Sequence, residues 1–189
     1  MTPSIERIGT ITADLGECPL WNTEDARLWF MDCRRGIVHA MDPSSGQASR
    51  IDVPPPTGSF AFNHDGRLVV ALKEEIALVD PRSGALERIA RIDDSHPNLR
   101  LNDGTALTDG SFVVGTMHVF REPGEAPLGG LYRLSPDGRL RKLDRGFGVV
   151  NGPRVSPLDG RLYVCDSAQR LIVSYAFDGD GGLVDRRTF

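Results

Sequence analysis

Three short segments carry the residue types best suited to chemistry. They are Leu15-Gly-Glu-Cys-Pro-Leu-Trp21, Asn98-Leu-Arg-Leu-Asn-Asp-Gly104 and Val149-Val-Asn-Gly-Pro-Arg154. Each sets a carboxylate or carboxamide beside Gly or Pro. If Glu17, Asn102 or Asp103, and Asn151 converge, they form a set of hard oxygen donors. A carboxylate with amide and carbonyl oxygens suits Ca²⁺, Mg²⁺ or Mn²⁺, and Zn²⁺ less typically. Taken singly, each has an ordinary alternative. Asn-Gly and Asn-Asp-Gly are common turn sequences. Glu17 alone reads as a solvated loop acid, and Arg100 with Asp103 as a local ion pair.

What would bring the segments together is a repeat. Arg27-Leu-Trp-Phe-Met-Asp32 is followed by Gly36-Ile-Val-His-Ala-Met41 and the turn Asp42-Pro-Ser-Ser-Gly46. The same phrase returns at Gly66–Leu72, Glu75–Val79 and the turn Asp80-Pro-Arg-Ser-Gly84. It returns again at Gly110–Gly115, Gly130–Leu134 and Ser135-Pro-Asp-Gly138, and lastly at Gly160–Asp166 and Arg170–Phe177. The spacing is about 40 to 50 residues, the period of a β-propeller blade, with room for about four short strands each. Blades packed around an axis cover faces that a lone sheet leaves open. An antiparallel sandwich of evenly spaced strands is the competing architecture. The three polar segments precede the first strand of their units in this reading, close to the axis. Trp21 and Trp29 read as blade-packing aromatics, Pro54-Pro-Pro56 as a connector, and residues 118–129 as a long loop able to cover a site.

Composition narrows the function classes. The chain has 189 residues, among them 21 Gly and 13 Pro, so long helices are not expected. Net charge is −4, which gives no basic face for nucleic acid. No apolar run reaches the length of a membrane span, and Met1 to Gly16 shows no secretory signal pattern. Three cysteines (Cys18, Cys33 and Cys165) without CxxC spacing argue against a disulfide framework or a Cys-ligated zinc site. No paired-His spacing occurs among the four histidines. The expected setting is a reducing cytoplasm, with neither nucleic acid nor membrane as partner.

At the level of motifs the chain resembles the senescence marker protein/regucalcin/gluconolactonase-like family of sugar lactonases. Gly16-Glu17-Cys18-Pro19-Leu20-Trp21 is similar to that family's GEGPxW. Asn98-Leu-Arg-Leu-Asn-Asp-Gly104 with Gly115-Thr-Met117 is similar to its NRxNDG…GTM. Asn151-Gly152, Ser156-Pro157, Asp159-Gly160 and Leu162-Tyr-Val-Cys-Asp-Ser167 are similar to its SNGxxxSPDGxxLYxxDS. The resemblance implies an all-β, six-bladed propeller with one divalent metal (Ca, Zn, Mn or Mg) at the axis. About four blades would lie in residues 1–189, a single domain truncated at its C-terminus. It implies Glu17 and Asn151 as metal ligands, and Arg100, Asn102 and Asp103 as substrate-side residues. The implied reaction is hydrolysis of a small sugar lactone, with the metal polarising the carbonyl and Arg100 stabilising developing charge on oxygen.

The chain also departs from the family pattern. Cys18 replaces a Gly and is expected to be a buried, inert thiol. His118-Val-Phe-Arg121 follows Gly-Thr-Met117 where an acid is usual, so His118 stands either as a replacement polar contact or as a surface-loop histidine. Pro153-Arg154 is atypical after Asn-Gly. The family's general-base Asp would lie beyond Phe189, and Asp166, at a strand end, does not match it. Unpaired blades would favour self-association. A non-catalytic metal-binding or protein-interaction propeller is the alternative function.

Overall fold

The computed structural model describes residues 4–93 and 96–189. Among these residues there is no helix. Sixteen strands form four antiparallel four-stranded sheets, each in simple chain order. The first holds β1 (Gly16–Asn22), β2 (Arg27–Asp32), β3 (Ile37–Met41) and β4 (Ala48–Asp52). The second holds β5 (Ser59–Phe62), β6 (Leu68–Ala71), β7 (Glu75–Val79) and β8 (Leu86–Arg91). The third holds β9 (Leu99–Ala106), β10 (Phe112–His118), β11 (Gly129–Leu134) and β12 (Leu140–Phe147). The fourth holds β13 (Val150–Val155), β14 (Leu162–Asp166), β15 (Leu171–Phe177) and β16 (Leu183–Thr188). The sheets are blades of a β-propeller. β1 touches β5, β5 packs on β9, and β9 packs on β13, so the first strand of each blade lies innermost.

Burial between blades explains the sequence of the middle strands. Side chains alternate across a strand, so a strand covered on both faces reads as a continuous apolar run. In β10, Phe112 and Val114 face the second blade while Val113 faces the fourth. In β6 and β7, Leu68, Val70, Ala77 and Val79 face the first blade, while Ala71 and Ile76 face the third. In β11, Tyr132 and Leu134 point one way and Leu131 the other. Rim strands lack this cover: β16 is almost wholly exposed.

The turns follow their residues. In Asp42–Gly46 the Gly46 amide donates to the Asp42 carbonyl at 2.8 Å, and Asp80–Gly84 repeats the bond at 2.9 Å. Both glycines take positive φ, +69° and +72°. The third and fourth blades are tied at the rim by Arg133. Its guanidinium donates to Ser111 Oγ at 3.0 Å and to the Gly181 carbonyl at 2.6 Å, and pairs with Asp109.

Two expectations are corrected. The three polar segments do not precede the blades' first strands; they are those strands, β1, β9 and β13. Interrupted pairing and Gly, Pro, Asn and Asp in the run hide the alternation that marks a strand. Trp21 does not pack between blades: it is 54% exposed, whereas Trp29 is buried and donates its indole N–H to Asp25.

Two buried carboxylates close the upper ends of the first and fourth blades. Asp32 accepts from the amides of Asp14 (2.8 Å), Leu15 (3.3 Å), Arg34 (3.2 Å) and Arg35 (3.3 Å). Asp166 accepts from Gly148 (2.8 Å), Val149 (3.1 Å), Ala168 (3.1 Å) and Gln169 (3.2 Å). Burial works to raise both pKa values, but the backbone N–H groups outweigh it and hold both carboxyls below their ordinary range.

Two outcomes follow from this packing. Leu131→Ala removes a fully buried side chain between the third and fourth blades and should cost about 2–5 kcal/mol in urea unfolding. The depressed carboxyls add stability that is complete above the unfolded pKa of about 3.9 and is lost as pH falls below it. The urea midpoint of the native chain should therefore drop as pH falls below about 4. Asp166→Asn, weaker throughout, should show a flatter acid limb.

Candidate functional site

Three of the four innermost strands carry a β-bulge, and the candidate residues sit at or beside these bulges. In β1 two residues, Cys18 and Pro19, stand opposite Phe30 alone, flanked by the pairs Glu17↔Met31 and Leu20↔Trp29. In β9, Asn102 and Asp103 stand opposite Gly115. In β13, Gly152 and Pro153 stand opposite Val164. A bulge locally increases twist and re-aims side chains. Cys18 and Gly152 occupy equivalent places and share a left-handed backbone, φ 54° and 55°. β5 pairs regularly and supplies no candidate.

The bulges of β9 and β13 are joined directly. The Asn102 amide nitrogen donates to the Val150 carbonyl at 2.8 Å and to Asn151 Oδ1 at 3.0 Å. Asn151 in turn donates to Ser167 Oγ at 2.8 Å. Asp103 turns its carboxylate to backbone rather than to Arg100, accepting from Gly104 N at 2.9 Å and Gly152 N at 2.7 Å. On the other flank, Ser59 Oγ donates to the Asn102 carbonyl at 2.9 Å. This closeness needs a missing side chain. A Cβ on Gly115 would lie 2.0 Å from a Val150 methyl carbon.

Glu17 and Arg100 form the second half of the site. Arg100 is half-buried and donates through Nη1 to the Leu101 carbonyl at 2.9 Å and the Thr57 carbonyl at 3.4 Å. Burial lowers its proton affinity, against the opposing fields of Cys33 and of Glu17. Glu17 is exposed on β1. Burial pushes the Cys18 thiol up to about 11 and the Cys33 thiol up to about 12, and Glu17 pushes both the same way. Cys18 is thus the buried, unreactive thiol expected, its Sγ 3.3 Å from the Phe60 carbonyl.

His118 is not a surface-loop histidine: it ends β10 and is buried. Its side chain is fully buried, 3.8 Å from Glu125 through Nε2, with its ring edge-on to His96 at 5.4 Å. Among the described residues neither ring nitrogen has a hydrogen-bond partner. Two supporting residues were not singled out by sequence reasoning. Ser167 lay within a recognised motif, so its place after Asp166 was a usable signal. Ser59 gave none, because a lone Ser in an apolar strand marks nothing.

The residues were also tested for a metal. Glu17 and Asn151 offer one carboxylate and one amide oxygen, which suits a hard divalent cation in kind. In number they fall short of a cage. Among the described residues no group of three or more His, Cys, Asp or Glu side chains is placed to hold a metal ion. Nor, among the described residues, is any helix long and apolar enough to cross a membrane.

The family model described as SMP-30/Gluconolactonase/LRE-like region matches residues 15–189. The chain belongs to this family. It is 30% identical over 167 residues to a 6-deoxy-6-sulfogluconolactonase from Pseudomonas putida, covering 88% of the chain and 56% of that relative. It is 29% identical over 185 residues to regucalcin from Xenopus laevis, covering 97% of the chain and 62% of that relative. A solved luciferin-regenerating enzyme superimposes with a TM-score of 0.83 at 27% identity, over 93% of this chain and 60% of that one. The chain thus spans about three fifths of the length of the proteins it matches.

The Gly115–Val150 contact gives a direct check. Gly115→Ala should destabilise by about 1–3 kcal/mol through overpacking. The double variant Gly115→Ala/Val150→Ala should recover part of that loss in a thermal-melt double-mutant cycle.

Proposed function

We propose that the chain carries the axial site of a divalent-metal-dependent sugar lactonase. The observation that carries this reading is the meeting of Asn102 with Asn151 at two bulged inner strands. Membership of a family named for gluconolactonase supports it. Glu17 and Asn151 would hold the cation. When bound, a divalent cation supplies Lewis-acid polarisation of the lactone carbonyl.

The chain's own residues bind and orient the sugar. Arg100, with donors beyond Nη1 unused among the described residues, faces oxygen atoms that gain negative charge as the ring opens. Asn102 positions a hydroxyl or carbonyl oxygen through its amide. Asp103 acts one step back, holding the Gly152 backbone and so the Asn151 position.

The test is lactone opening followed by acid release, on glucono- and pentonolactones, with and without EDTA. It should be run on the 189-residue chain and on any longer product of the same gene. Metal-dependent opening by the longer product is the expected result. Arg100→Met should lower its kcat/KM by about 10²-fold or more. A longer product that binds metal yet opens no sugar lactone overturns the lactonase reading and leaves a metal-binding propeller.

A further inference from the structure

We infer that Asp32 and Asp166 are a matched pair of positioning residues that hold the backbone of the two metal-ligand candidates, Glu17 and Asn151. This deepens, and in its metal arm rests on, the lactonase reading. The two carboxylates are register-equivalent: Asp32 pairs with Gly16 at the top of β1, and Asp166 with Val150 at the top of β13. Their bonds repeat at identical offsets. Each accepts from the amides 18 and 17 residues before it and from those two and three residues after it. The earlier pair is Asp14-Leu15 in one blade and Gly148-Val149 in the other. These stretches lead straight into Glu17 and Asn151. A further bond closes each loop, Cys33 N to the Leu15 carbonyl and Ser167 N to the Val149 carbonyl, both 3.0 Å.

The other two blades act as internal controls. In the second blade the strand-end residue paired with the start of β5 is Ala71. It has no carboxylate, and β5 has neither bulge nor ligand candidate. In the third blade the strand-end residue is His118, whose ring nitrogens have no hydrogen-bond partner among the described residues. There the Asn98 amide is taken by His96 Nδ1 at 3.2 Å instead. Among the described residues the clamp thus occurs in the two blades that carry Glu17 and Asn151. Both carboxylates are 1% exposed, so water cannot replace these bonds cheaply. A ligand side chain tolerates about 0.5 Å of wander before geometry is lost, and each clamp fixes main chain two or three residues away.

Asp32→Asn and Asp166→Asn keep the shape but turn an NH₂ towards backbone N–H groups. The turn variant Asp42→Asn serves as control. In the folded chain, Asp166→Asn should move the side-chain amide NMR signals of Asn151 and Asn102. Asp32→Asn should move the Glu17 carboxyl signal, and Asp42→Asn should move none. Mn²⁺ affinity, read by calorimetry, should weaken about 10- to 100-fold in the two clamp variants, the usual cost of losing a group behind a ligand. Variants that melt lower but keep these signals in place overturn the positioning role and leave a purely structural one. If the unsubstituted chain binds no Mn²⁺, the metal reading fails while the NMR shifts still decide the positioning. If the variants do not fold, hydrogen exchange in the native chain decides. The Leu15 and Val149 amides should be as protected as those of β7, and exchange as fast as in residues 119–128 overturns the clamp.

Discussion

The candidate site depends on how closely the third blade can approach its two neighbours. Side chains normally hold adjacent blades apart. At Gly58 a Cβ would fall 2.3 Å from the Asn102 carbonyl oxygen, and at Gly115 it would fall inside the Val150 side chain. With those atoms absent, a short asparagine side chain spans the gap between blades. A longer residue would reach as far, but at a larger entropic cost and with less definite placement. The close approach therefore comes first, and the bonds of Asn102 and Asp103 follow from it.

The bulges then convert nearness into direction. A regular inner strand sends alternate side chains into the flanking blades, as β5 does with Phe60 and Ala61. An extra residue breaks that alternation. It exposes Glu17 at the top of β1 and lays Asn102 and Asp103 side by side in β9. The two join β13 differently, one through its amide donor and the other through carboxylate acceptors. The rest of each blade is apolar packing that keeps these strands in register.

Much of this was legible from residue order. The outer parts of the blades follow rules that act over a few residues: apolar runs for twice-covered strands, and Asp-Pro-x-x-Gly for the turns. β2 and β7 fall on residues 27–32 and 75–79 as read. The bulged inner strands β1, β9 and β13 were not legible as strands, because a bulge removes the period that identifies one. The meeting of Asn102 with Asn151 spans 49 residues and was legible through the repeat, which sets both segments near the axis. The turning of Asp103 to the Gly152 amide was not, since a carboxylate in an Asn-Asp-Gly run has equal claims on Arg100 nearby. The burial of His118 depends on the segment 119–128 folding back, which no local pattern encodes.

Cys18 shows how far one backbone constraint reaches. Its left-handed φ is a place where glycine is at ease, and the thiol there is sealed beneath the Phe60 carbonyl. With Cys33 nearby, the first blade holds two buried thiols that titrate far above neutrality. Neither contributes charge across the physiological range. The field along the axis is set instead by Glu17 and Asp103 against the guanidiniums of Arg100 and Arg154, all of which act on Cys18 or Cys33. Because both thiols keep their protons, they leave that balance unaltered as the surroundings turn mildly alkaline.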